Sequence, residues 1–158
     1  MNFFTADMCD EHHDRVQVLE HIFKRYGKRE KFRGKVVTIK LDEDNRGLIE
    51  LLKEDGKGRV AIVDVEAKFC AVVGENLMLM AHKNGWEGII INGYVRDIHI
   101  TKDIDVGLLA LGTCPKRSKK ISASQREVEL SFGGVVFRDG MEVYADHDGV
   151  IVKESKWV

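Results

Sequence analysis

Apolar residues fall in short runs whose spacing changes along the chain. "KVVTIKL", ending at Leu41, is short and β-branched, which predicts a strand. "NRGLIELLKED" has its leucines at helical spacing and ends beside Gly56, so a helix is expected there. "RVAIVDV" is an apolar run of strand length that passes through Asp64. "ENLMLMAHKNG" predicts a helix stopped by Gly85, and "EGIIINGYV" a second buried strand. This alternation of strand and helix predicts parallel crossover units. Nearer the start, "DRVQVLEHIFKRYG" sets Val16, Leu19, Ile22 and Phe23 near helical period, with Gly27 as a stop. A helix and a loop with one helical turn both fit it.

Beyond Lys102 the texture changes. "DIDVGLLALGTCP" is apolar and punctuated by glycine, and it ends at the only proline, Pro115. "EVELSFGGVVFRDGMEVYADHDGVIV" reads as short strands separated by Gly-Gly and Asp-Gly turns. The second half is therefore expected to be antiparallel and rich in hairpins. A parallel layer, an antiparallel layer and packing helices make an α/β domain. The 158 residues suit one domain, 1–158, with a real core.

Composition narrows the function classes. Apolar residues make up 44% and charged residues 32%, as in a globular domain. A formal net charge of −1 gives no electrostatic reason for direct nucleic-acid binding. The apolar runs are too short to span a bilayer, and "MNFFTADMCDEHHD" lacks a secretory pattern, so a cytoplasmic protein without membrane contact is expected. Cys9, Cys70 and Cys114 are odd in number and widely spaced, which argues for reduced thiols.

One stretch carries candidate chemistry. Gly74 and Glu75 stand where a helix should begin, and the free N–H groups there favour an anion. Arg96 and Asp97 follow at the carboxyl end of the next strand. Arg96 can clasp a carboxylate, and Asp97 can ligate a hard divalent cation. A surface Arg–Asp pair is the plainer reading of the residue types alone. Spacing does not decide whether the two ends meet in one chain, meet across a subunit boundary or lie apart.

Elsewhere the simpler readings prevail. Cys9, His12 and His13 lack a fourth ligand at zinc spacing. His99 reads as a strand residue beside Asp97, His82 as exposed on a helix, and His147 as a turn residue. Met78 and Met80 read as core filler. "CPKRSKK" reads as a solvated basic loop. No G-x-G-x-x-G follows a strand, which removes support for a dinucleotide-type methyltransferase fold.

"GWEGIIINGYVRD", "DIDVGLLALGTCP" and "FGGVVFRDGMEVYADHDGVIV" together resemble the RraA-like family (regulator of ribonuclease activity A). That family includes metal-dependent class II 4-hydroxy-4-methyl-2-oxoglutarate aldolases. "TADMCDEHHDRVQVL" and "KFRGKVVTIKLDEDN" extend the match over nearly the whole chain. The resemblance implies a β/β/α swivelling-domain fold and a homotrimer, sometimes paired into a hexamer. It implies that Asp97 binds Mg2+ or Mn2+ and that Glu75 contacts the metal's water shell. Arg96 and the backbone of Gly74, Glu75, Asn76 and Leu77 would hold the pyruvoyl part of a small 2-keto acid. The implied reactions are retro-aldol cleavage to pyruvate and oxaloacetate decarboxylation, both through a metal-stabilised pyruvate enolate. The alternative is a non-catalytic regulator that binds ribonuclease E.

The chain departs from the family pattern at two internal places. "DVEAKF" replaces a glycine cluster after Asp64, and Ile100 stands where many members carry an acid. The chain also ends sooner after "DGVIV" than the longer aldolases do. The acid at Glu75 together with Arg96-Asp97 favours the lyase; Ile100 and the short chain favour the regulator.

Overall fold

The computed structural model describes residues 2–119 and 123–155. It begins with helix α1 (Thr5–His12), a single 3-10 turn (His13–Arg15) and the short strands β1 (Val16–Val18) and β2 (Lys24–Arg25). The central run is β3 (Phe32–Lys40), α2 (Arg46–Leu52), β4 (Arg59–Asp64), β5 (Ala71–Val73), α3 (Glu75–Lys83), β6 (Gly88–Val95), α4 (Ile98–Thr101) and β7 (Gly107–Thr113). The chain then passes through β8 (Gln125–Arg126), β9 (Leu130–Phe132), β10 (Val135–Phe137), β11 (Glu142–Ala145) and β12 (Val150–Lys153).

The parallel and antiparallel halves share one sheet, ordered β1-β12-β11-β3-β4-β6-β7-β2. Its centre, β3-β4-β6-β7, is parallel, as the strand–helix alternation requires. β11, β12 and β1 continue it antiparallel on one side, and β2 closes the other. β9 and β10 form a separate hairpin.

Each central strand is buried on both faces, which explains its unbroken apolar run. Alternate residues serve two cores. Ala61, Val63, Ile89, Ile91, Leu108 and Ala110 pack with Leu48, Leu51, Leu52, Leu77, Met78 and Trp86 on the helix side. Val60, Ile62, Ile90 and Leu109 pack with Leu130, Phe132, Val135 and Phe137 of the hairpin on the other. The result is a mixed α/β fold in which a hairpin, a sheet and a helix layer are stacked.

Of the two readings open for "DRVQVLEHIFKRYG", the loop with one helical turn holds: after the 3-10 turn, Val16 and Val18 pair with Lys153 and Ile151. Leu19 is buried in the hairpin core, and the Phe23 ring lies 5.7 Å from Phe132. Val16 goes to a sheet edge and Leu19 and Phe23 to the hairpin core, while Ile22 stays half exposed, so tertiary contacts override the period. Other local expectations change: β7 lies beyond Lys102 yet pairs parallel with β6, because it closes the last crossover of the parallel centre. His99 lies exposed on α4, not on a strand. The Asp139–Gly140 turn does not close a hairpin; it carries the chain from β10 into the main sheet. There the Asp139 carboxylate accepts bonds from the Thr38 N–H at 2.7 Å and hydroxyl at 2.9 Å. The Gly133–Gly134 turn does close the β9–β10 pair, with φ of +58° and +74° that glycine adopts freely.

Candidate functional site

β5 is only three residues long, but it decides the geometry. It runs parallel to the end of β6, with Ala71 opposite Tyr94 and Val73 opposite Val95. Parallel neighbours point their carboxyl ends the same way. The start of α3, which follows β5, and the Arg96-Asp97 pair, which follows β6, therefore emerge on one edge of the sheet. Ligands collect at such edges in α/β folds. The helix start and strand end of "GENLMLMAHKNGWEGIIINGYVRD" thus meet within a single chain.

The contact is direct. The Glu75 N–H donates to Asp97 Oδ2 at 3.0 Å, and the Arg96 N–H donates to the Val73 carbonyl at 3.0 Å. Asp97 sits in the left-handed region at φ 61°, which turns the chain from β6 into α4. This conformation is costly for most residues and least so for Asn, Asp and Gly. Gly74 is required here for space: a Cβ would fall 2.5 Å from Asp97 Oδ2.

The first intrahelical bond of α3 is Met78 N–H to the Gly74 carbonyl at 3.1 Å. The Glu75 N–H is already engaged by Asp97. Among the described residues, the Asn76 and Leu77 N–H groups of the first turn have no hydrogen-bond partner, and they stand at the positive end of the helix dipole. All four residues of the expected cradle, Gly74, Glu75, Asn76 and Leu77, border one cleft.

These groups line a cleft of about 250 Å³. Gly74, Glu75, Asn76, Leu77, Arg96 and Asp97, every residue singled out in the sequence, border it. Arg96 and Asp97 are half-buried, and Arg96 donates from Nη1 to the Pro115 carbonyl at 3.3 Å.

The cleft also includes residues that sequence reasoning missed: Asn45, Arg117 and Ser118. Asn45 donates from Nδ2 to the Val72 carbonyl at 3.0 Å, which ties the start of α2 to β5. Its position just before a leucine-rich helix was a detectable cap signal, although its side chain bonds across to β5 instead. The basic segment after β7 is not a freely solvated loop. The Cys114 N–H still donates to the Val95 carbonyl; the chain then crosses the end of β6 to the far side of β5. There Ala71 N–H donates to the Lys116 carbonyl at 2.7 Å and Ser118 N–H to the Ala71 carbonyl at 2.9 Å. Residues 116–118 form a strap of polar residues that pairs with Ala71 through a single strand-like bridge. Lys120 of the same basic run lies outside the described residues.

The donor set suits a hard divalent cation. Asp97 Oδ2 takes one N–H bond, and no described residue bonds Oδ1. A single carboxylate with room for water and substrate is a common Mg2+ arrangement. Glu75 lines the same cleft. Among the described residues, no cluster of three His, Cys, Asp or Glu surrounds a common point. Ile100 does not supply an acid: it is partly buried and packs against the helix-side core.

The glycine-poor "DVEAKF" segment keeps a glycine-like backbone. Glu66 and Ala67 adopt φ of +53° and +58°. Asp64 anchors it, accepting from the Glu66 N–H at 2.8 Å and from Asn92 Nδ2 at 2.9 Å. Away from the cleft, Cys9 packs beside the Phe3, Tyr144 and Ile151 cluster. Exposed His147 contacts Glu30 from the β11–β12 turn, at 2.5 Å. Among the described residues, no helix is long and apolar enough to cross a membrane.

Known proteins share this architecture. A protein of Dechloromonas aromatica named "Putative 4-hydroxy-4-methyl-2-oxoglutarate aldolase" is 43% identical over 157 residues, covering 96% of each chain. A Bacillus cereus relative of the same name is 43% identical over 152 residues, again with 96% of each chain covered. Among solved structures, the RNA-processing inhibitor RraA from Thermus thermophilis matches with a TM-score of 0.93 and 34% identity, over 99% of this chain and 96% of that one. A Geobacillus kaustophilus structure described as an S-adenosylmethionine: 2-dimethylmenaquinone methyltransferase also matches with a TM-score of 0.93, at 39% identity over 98% of this chain and 96% of that one. A family profile described as RraA-like, Aldolase/RraA, matches residues 5–152, and the chain belongs to that family.

Proposed function

We propose that this protein is a divalent-metal-dependent lyase acting on small 2-keto acids. Its reactions would be retro-aldol cleavage of 4-hydroxy-4-methyl-2-oxoglutarate and decarboxylation of oxaloacetate. The observation that carries the reading is the junction of Glu75, Arg96 and Asp97 in one cleft, closed by the Glu75 N–H bond to Asp97. The names of the curated relatives support the aldolase part.

Asp97 is the residue to hold Mg2+ or Mn2+, with Glu75 placed toward the ion's water shell. Bound there, the cation would supply Lewis-acid polarisation of the substrate's keto oxygen. Arg96 pairs with the C1 carboxylate, and the Asn76 and Leu77 N–H groups share its negative charge. This fixes the pyruvoyl half, so cleavage starts from an oriented substrate. Glu75 accepts the proton of the C4 hydroxyl, directly or through one water. The C3–C4 bond then breaks, its electron pair staying on the pyruvoyl half as an enolate, and the former C4 becomes the keto carbon of the first pyruvate. Returning the proton to C3 gives the second. In oxaloacetate the bond that breaks is C3–C4 to carbon dioxide, with the same enolate left in the same place.

A coupled pyruvate assay tests this with wild type and Asp97→Ala, with and without Mg2+ or Mn2+. Metal-dependent pyruvate release that disappears in the variant is expected. No release by wild type, or equal rates in both, would sink the lyase reading.

A second reading has its own observation. Ile100 places an apolar side chain where an acid is expected, and the RNA-processing inhibitor RraA of Thermus thermophilis has the same fold. A regulator that binds ribonuclease E would keep the cleft without the chemistry. A pull-down with ribonuclease E is the matching experiment; no binding at micromolar concentration counts against it. Assembly into a trimer or hexamer is part of the same proposal, and light scattering of the purified protein reads it directly.

A further inference from the structure

We infer that Arg117 is a specificity residue that binds the second carboxylate of the substrate, so that the cleft selects 2-oxodicarboxylates over 2-oxomonocarboxylates. This inference rests on the lyase reading for its substrate class. Its own support is the placement of the strap.

β5 has β6 on one side and residues 116–118 on the other. Arg96 extends from the end of β6, and Arg117 pairs with Ala71 through the opposite edge of β5. Adjacent strands lie about 4.8 Å apart, and Arg117 stands opposite Ala71 and Tyr94, two residues short of Arg96, so about 9 to 10 Å across β5 and about 6 to 7 Å along it put the two backbones roughly 11 to 12 Å apart. Both arginines line the same cleft. A four- or five-carbon diacid spans roughly 4 to 5 Å between its carboxyl carbons, from carbon–carbon bonds of about 1.5 Å. Two guanidinium groups reaching inward from that backbone separation can hold both ends at once.

Charge points the same way. The charged side chains lining the cleft are Arg96, Arg117, Glu75 and Asp97, which cancel. A divalent cation on Asp97 leaves an excess of two positive charges. A 2-oxodicarboxylate carries two negative charges and neutralises it; a monocarboxylate leaves one uncompensated. Arg96 is tied to the Pro115 carbonyl, whereas among the described residues the Arg117 side chain has no hydrogen-bond or ion-pair partner. Its side chain is exposed while its backbone is fixed by the bonds of Lys116 and Ser118 to Ala71. An exposed cation on an anchored backbone suits a group that meets the variable end of a substrate.

The experiment compares wild type, Arg117→Ala and Arg117→Lys. Turnover is read with oxaloacetate and 4-hydroxy-4-methyl-2-oxoglutarate against the monocarboxylate 4-hydroxy-2-oxopentanoate. Binding is read by calorimetry with 2-oxoglutarate against 2-oxobutyrate, in the presence of Mg2+. In Arg117→Ala the preference for dicarboxylate over monocarboxylate, in kcat/KM and in Kd, should fall about tenfold or more, as expected for losing a charge-assisted contact. The fall should lie mainly in KM, and Arg117→Lys should recover part of it. An unchanged preference, or equal losses on both ligand classes, would overturn the assignment. If wild type releases no pyruvate from any substrate, the lyase reading fails separately. The calorimetric comparison then decides Arg117 on its own: a wild type with no preference for 2-oxoglutarate overturns it.

Discussion

Two aspartates follow strands of the same sheet and are used in opposite ways. Asp146, after β11, is buried and saturated with donors. Its carboxylate accepts from the Thr5 N–H and hydroxyl, both at 2.7 Å, and from the Asp148 N–H at 3.0 Å. It fastens α1 to the β11–β12 turn. Asp97, after β6, is half-buried and takes one N–H bond, from Glu75. A carboxylate that serves structure has its lone pairs filled by the chain; one that serves a ligand is held firmly by one oxygen and left open at the other. Residue type does not distinguish the two, and the count of donors does.

The sharpest test of this contrast is to remove each carboxylate. Asp97→Ala should lower metal-dependent pyruvate release about a thousandfold or more, on the scale of a lost electrostatic catalytic group, while stability falls by only about 1 kcal/mol for the lost Glu75 bond and an alanine held at φ 61°. Gly74→Ala should be next, since its Cβ would meet Asp97 Oδ2 at 2.5 Å. Displacing Asp97 by a fraction of an ångström to an ångström should cost about a hundredfold in kcat/KM, visible in the same assay. Asp146→Ala should reverse the pattern, losing about 2 to 3 kcal/mol of stability in denaturant titration, as for buried charged hydrogen bonds. Its activity per folded molecule should stay near wild type. An Asp146→Ala protein as stable as wild type would end the comparison.

Acid should test the structural role of Asp146. Burial raises the Asp146 pKa, but the bonds from Thr5, Asp148 and Gly149 outweigh it and leave it below the usual carboxylate value. A depressed folded-state pKa means that the stabilisation is complete above the unfolded value, about 4. It is lost as pH falls through the lower folded value. Unfolding titrations across that range should show wild type losing stability and Asp146→Asn losing less. The smallest expected effect lies in the "DVEAKF" segment. Ala67→Gly should stabilise by about 0.5 to 1 kcal/mol, because Ala67 holds φ +58° without glycine's freedom.

Much of the fold was legible because its signals are local. The runs through Val60–Val63 and Ile89–Ile91 read as strands from their unbroken apolar residues, and Gly85 and Gly133-Gly134 marked real stops. The segment around Val16–Phe23 left a helix and a loop with one turn both open, because Val16, Leu19 and Phe23 satisfy partners more than a hundred positions away, in β12 and the hairpin. The site was half legible. Glu75, Arg96 and Asp97 have types and surroundings that suggest anion and metal chemistry. Whether they meet depended on β5, too short to announce itself, lying parallel to β6. Arg117 escaped notice because its role comes from a strap crossing one strand to pair with another, and no periodicity records that.

The strap also gives the cleft a clock. The amides of Ala71 and Ser118 are bonded to the strap and to β5 across the same edge. Their protons can exchange with solvent only when residues 116–118 lift away, an opening that does not require the sheet to unfold. Hydrogen exchange at these two positions therefore times the movement of one wall of the cleft. Amides in β4, deep in the parallel centre, time global unfolding in the same sample. A ligand that bridges Arg96 and Arg117 should slow the first pair more than the second, and so report its own residence without any chemistry taking place.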